Sequence, residues 1–78
     1  MERNHSEVAA LKARLEKECA AYRFFLQGFA LTASHRAITK RMEAFGVAVT
    51  EIKRALLPLL GEEEATRIIG KTFQEKVT

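Results

Sequence analysis

From Val8 to Ala33 the apolar residues fall at intervals of three and four: Val8, Leu11, Leu15, Cys19, Tyr22, Leu26, Phe29 and Ala33. At 100° per residue these side chains occupy one stripe about 80° wide, a period no strand produces. The spacing predicts a helix over 6–33. Residues 1–5 are read as a flexible tail. Asn4 with Glu7 three residues later has the form of a capping box, and Ser6 competes as the N-cap.

A second seam follows the same rule: Ile38, Met42, Phe45, Val49, Ile52, Leu56 and Leu59. It predicts a helix over 34–57, with Gly46 inside it at a cost of roughly 1 kcal/mol relative to alanine. A glycine there reads as room for a close helix or as a bend. A continuous helix would place Ile38 about 140° from the first stripe. The chain is therefore expected to reverse within 29–36, with Thr32 or Ser34 as the new N-cap. Pro58 lacks a backbone N–H and disfavours helix at Leu57, so the second helix should end or kink there. Glu62, Glu63 and Glu64 then complement the positive end of a third helix over 62–76. Its apolar face is Ala65, Ile68, Ile69, Thr72 and Phe73. Arg14 with Glu18, Glu63 with Arg67 and Lys71 with Glu75 have the spacing of ion pairs within a helix.

The fold expected is all-α. A long antiparallel helical hairpin carries a short C-terminal helix, in one domain over 1–78. With 78 residues, a single core supplies only a few kcal/mol of net stability, so a second subunit is a natural supplement. The stretch 19–33, CAAYRFFLQGFALTA, points the same way. Phe24 and Leu31 fall opposite the first seam, among Ala10, Ala13, Ala20, Ala21 and Gly28. A helix apolar on two sides usually sits inside a bundle. The expected assembly is a homodimer forming a four-helix-type bundle, with Tyr22, Phe24, Phe25, Gly28 and Leu31 at the interface and the third helices bracing it. The stretch is too short for a membrane span, which needs about 20 apolar residues, so no membrane partner is expected.

The reactive inventory is thin. One cysteine excludes an intrachain disulfide framework and suits a reducing, cytoplasmic setting. The first residues have no apolar core of the kind a secretory signal carries. Cys19 lies on the apolar seam and reads as a small buried hydrophobe. Glu2 and His5 have the E-x-x-H spacing of di-iron bundles, but only once, and one cysteine with two distant histidines cannot form a tetrahedral zinc site. Glycines 28, 46, 61 and 70 are scattered singly, so no phosphate-cradling loop is present. No catalytic residue, cofactor or metal is assigned, and the chain is read as non-enzymatic.

Charge leaves a second reading open. Thirteen basic residues against ten acidic give +3. Arg36, Lys40, Arg41, Lys53 and Arg54 lie on or beside the outward face of the second helix, spanning roughly 27 Å. They could contact phosphates or an acidic partner, although Glu43 and Glu51 interrupt the face. Arg23, inside the apolar stretch, must reach water or pair with Glu16, Glu18 or Glu43 of a neighbour. The function expected is a small interaction or assembly module, working by self-association and protein contacts, as an accessory or regulatory subunit. The alternative is a dimeric basic helical protein that binds DNA or RNA.

Overall fold

The computed structural model describes residues 2–28 and 31–77, with the side chains of residues 2–4 left aside. It contains α1 (Glu2–Gly28), α2 (His35–Leu60) and α3 (Glu62–Lys76), and no strand among the described residues. The all-α fold and the antiparallel hairpin with a C-terminal helix are as the two apolar seams require. Each helix packs on both of the others. The result is a rod with extents of 46 × 19 × 18 Å.

The core is where the seams meet. Leu15, Cys19, Ile52, Leu56 and Ala65 are fully buried, and Phe45 nearly so. Val8, Leu11, Tyr22, Val49, Ile68 and Ile69 pack against them. Cys19 is thus part of the core, and burial, with the Glu18 carboxylate nearby, pushes its thiol pKa up. Thr72 is the polar residue buried on α3. Ala48, outside the predicted seam, is also buried, about one turn from both Phe45 and Ile52 on the same face. The third helix is a full member of this core.

Helix boundaries differ from the sequence reading at three places. α1 starts at Glu2, so Ser6 and Asn4 lie inside the helix, and the flexible tail expected over 1–5 is helical from residue 2. Capping residues stop a helix only where the chain also turns, and here it does not. α1 is described to Gly28, and the helix does not reach the expected Ala33. Residues 31–34 form the reversal, which moves Leu31 and Ala33 off the helix; Phe29 and Ala30 lie outside the described residues. α2 runs on through Pro58 to Leu60. Proline there removes a single bond, its own N–H to the Arg54 carbonyl, at an exposed position in the last turn. Burial of Leu56 and partial burial of Leu57, Leu59 and Leu60 offset that loss.

The two turns have clear local causes. Ser34 is extended at φ −68° and ψ 158°, and its hydroxyl accepts the Ala37 N–H at 3.1 Å. Gly61 adopts φ +86°, a conformation that glycine reaches without steric cost. Its N–H closes α2 on the Leu57 carbonyl at 2.9 Å, and its own carbonyl accepts the Ala65 N–H at 3.1 Å to open α3. Replacing Ser34 with Ala should lower unfolding free energy by about 1 kcal/mol, and Ser34→Asp should retain most of the capping. Urea denaturation followed by circular dichroism reads this directly. Equal stability of the Ala and Asp variants with the parent would show that the cap is not formed.

Candidate functional site

At 1.5 Å per residue, α1 and α2 are about 40 and 39 Å long and α3 only about 22 Å. α3 runs back from Gly61 and comes level with Phe45 near its end, where the Phe45 and Phe73 rings lie 6.0 Å apart. Beyond that level the molecule is two helices thick. This two-helix tip holds the end of α1, the turn and the start of α2. In this tip Leu31 is 97% exposed, Phe24 66% and Met42 53%; Val47, on the other side of Phe45, is 58% exposed.

The expected interface residues fall on different surfaces. Phe24 lies about 180° around α1 from the buried Leu15, so it faces away from α2 and α3. Ala10, Ala13, Ala20, Ala21 and Gly28 are exposed with it. Leu31 stands at the turn. Phe25 is half-buried on the flank of α1. Tyr22 is packed within the chain, its ring stacked on Phe45 at 4.3 Å with planes 7° apart.

Charge is divided along the rod. Residues 19–42 hold four Lys or Arg and no Asp or Glu; the remaining residues hold nine against ten. The whole positive excess therefore resides in the tip. Arg36, Lys40 and Arg54 are exposed, whereas Arg41 and Lys53 are half-buried. Arg23 is exposed.

The ion pairs are not those of the local spacing. Arg14 crosses from α1 to α2 and meets Glu51 at 3.0 Å, in place of Glu18. This engages one of the two carboxylates that interrupt the basic face of α2. Arg67 pairs with Glu64, not Glu63. The hydrogen bond from Arg67 holds the Glu64 carboxyl below the ordinary carboxylate range, against the opposing effect of desolvation. Both pairs are well exposed, and such pairs contribute little to stability. Among the described residues no group of three or more His, Cys, Asp or Glu could hold a metal ion. Nor is any helix long and apolar enough to cross a membrane. His5 is exposed on α1, and the side chain of Glu2 lies outside the described residues, as does that of Asn4.

One concavity is wholly apolar. A cleft of about 320 Å³ opens between α2 and α3. Leu15 and Cys19 of α1 lie at its base. Phe45, Gly46 and Val49 form one wall, and Ile69, Gly70 and Phe73 the other. A cleft of about 450 Å³ between α1 and α3, by contrast, is lined by Lys12, Glu16, Glu64, Arg67, Lys71 and Glu75 among others.

All four glycines face open space, those of the apolar cleft included. A Cβ placed on Gly46 or Gly70 meets no atom within 4 Å. The close helix approach expected at Gly46 is therefore not made within the chain. The Gly46 carbonyl accepts the Thr50 hydroxyl at 2.8 Å. Gly70 carried no signal in the sequence beyond its place three residues before Phe73; only the folded chain sets it across from Gly46. Compared with protein-family models, with curated proteins and with solved structures, the chain matches none.

Neither glycine has positive φ, and each forfeits roughly 0.8–1.0 kcal/mol of helix propensity relative to alanine. Gly46→Ala and Gly70→Ala should each raise unfolding free energy by about 0.5–1 kcal/mol. Chemical denaturation tests this, and a loss of stability in either variant would mean that the backbone there needs glycine for folding.

Proposed function

We propose that this chain is a small non-enzymatic helical interaction module that acts by self-association and protein–protein contacts, as an accessory or regulatory subunit. The single observation behind this reading is the apolar surface at Phe24 and Leu31, which the three-helix core leaves exposed. Burial of such side chains against a second copy is favourable by about 25 cal/mol per Å² of apolar area. The small residues around Phe24 let another helix approach closely. A two-fold pairing of α1 with α1 of a second chain in antiparallel sense keeps the two cationic tips apart. A parallel pairing sets the two cationic tips together, which like charges oppose. The single cysteine, buried as a thiol, suits a reducing, cytoplasmic setting.

Sedimentation equilibrium at tens of micromolar is expected to give a dimer. Phe24→Glu should make it monomeric while helicity is kept, because Phe24 is 66% exposed and outside the core. A parent protein that is monomeric across this range overturns the reading.

A second reading, a dimeric basic helical protein on DNA or RNA, is supported by the lack of any carboxylate over 19–42 and by the outward Arg36, Lys40 and Arg54. Its signature is binding to labelled duplex or single-stranded nucleic acid that weakens steeply as salt rises, since each neutralised phosphate releases counterions. Absence of binding at low salt ends this alternative.

A further inference from the structure

We propose that the end of the rod, where the chain turns from α1 into α2, docks on the surface of an anionic lipid bilayer. Leu31 enters the apolar layer, and Arg23, Arg36 and Lys40 meet the acidic headgroups. Leu31 stands at the turn and is 97% exposed, more than any other large apolar side chain among the described residues. Charge around it is arranged by distance from that end. Arg36 lies in the first turn of α2, Lys40 five residues from its start, and Arg23 five residues before Gly28. At 1.5 Å per residue all three stand within roughly 8 Å of the helix ends. All three side chains are exposed. The first carboxylates back from the turn, Glu43 on α2 and Glu18 on α1, lie roughly 12 and 15 Å away. Glu75 of α3, two residues past the Phe73 that meets Phe45, stands at about the level of Glu43. The Debye length at physiological ionic strength is about 8 Å. A negative surface laid across the turn therefore meets the cations, and salt screens it from the carboxylates.

Shape and chemistry separate a bilayer from other acidic partners. Two helices side by side, each about 10 Å across, end in a face of roughly 200 Å². A stable protein interface takes about 800 Å² from each partner. A bilayer accepts a small convex end, because apolar side chains enter it singly and its charge is spread over the surface. Nucleic acid would engage the cations and leave Leu31 in water. No helix among the described residues is long and apolar enough to cross a membrane, and docking against one asks only for this end. Each Lys or Arg at an anionic surface contributes about fivefold in affinity, and a buried leucine side chain about tenfold. Together these give a reversible attachment, half-maximal at about 1 mM lipid. The proposal does not rest on self-association: Phe24 lies on the flank of α1, and an antiparallel dimer keeps a turn free at each outer end.

The full chain is mixed with vesicles of equal parts phosphatidylcholine and phosphatidylserine, and with vesicles of phosphatidylcholine alone, and the bound fraction is read by cosedimentation. Binding is expected on the anionic vesicles, about tenfold or more weaker on the neutral ones, and weaker as salt rises. Leu31→Ser changes an exposed turn residue outside the core, so the variant should keep its helicity and lose about tenfold in affinity. Arg36→Gln with Lys40→Gln should lose about 25-fold. Lys12→Gln with Lys17→Gln removes the same charge from exposed positions on the body and should leave affinity unchanged. No binding to the anionic vesicles overturns the proposal, as do equal binding to neutral ones and equal losses from the two charge pairs. Parental affinity in Leu31→Ser also overturns it, and binding of labelled duplex by that variant would assign the cations to nucleic acid. Sedimentation equilibrium on the same samples keeps the dimer separate. Vesicle binding lost only when self-association is lost, in Phe24→Ser as in Leu31→Ser, would overturn docking by the turn.

Discussion

The Phe45 ring is the point at which three helices become one structure. It stacks on Tyr22 of α1 at 4.3 Å and meets Phe73 of α3 at 6.0 Å. Two helices of a hairpin can bury only the strip between them. The third helix closes the groove along Phe45, Ile52 and Leu56, and that closure brings Leu15, Cys19 and Ala65 out of water. A 78-residue chain has few such contacts, so where α3 stops is where full burial stops. Everything beyond Phe45, toward the turn, is a hairpin without a third layer.

Much of this was legible in the sequence because periodicity is local information. The two seams identify the faces that meet, and the phase break between them requires a reversal. Ser34 caps the second helix as its chemistry suggests, and the three glutamates open α3 at the expected residue. The misreadings share a different origin. Asn4 and Ser6 have the composition of a cap, but a cap is a consequence of chain direction, which composition does not encode. Pro58 interrupts a helix only if the energy lost exceeds what continued burial returns; Leu59 and Leu60 settle that in favour of helix. Arg14 finds Glu51 across the hairpin instead of Glu18 on its own helix, because the packing of α1 on α2 sets the two side chains within reach.

The asymmetry of the rod couples fold to charge. The body, where three helices interlock, has balanced charge, while the tip has four cations and one carboxylate, Glu43. Cations crowded together with exposed Phe and Leu side chains are unfavourable in isolation on both counts: like charges repel, and apolar area stays wet. Both costs diminish together against a surface that is apolar at its centre and acidic at its margin.

The cleft at Gly46 and Gly70 poses the opposite problem, a place where the fold is less filled than its own sequence could make it. Interiors pack to the density of organic crystals, and chains rarely leave apolar space beside a core without cause. Alanine at either position would improve helix propensity, and a larger apolar side chain would also shelter Val49, Ile69 and Phe73 from water. Natural proteins are seldom at their stability optimum, so a single such glycine would signify little. Two of them, on helices separated by a turn and brought together only by folding, share one apolar hollow of about 320 Å³. Stability alone would favour closing that hollow from either side. Both positions face solvent, as Gly28 and Gly61 do, so the hollow is a groove in the surface and not a void within the core.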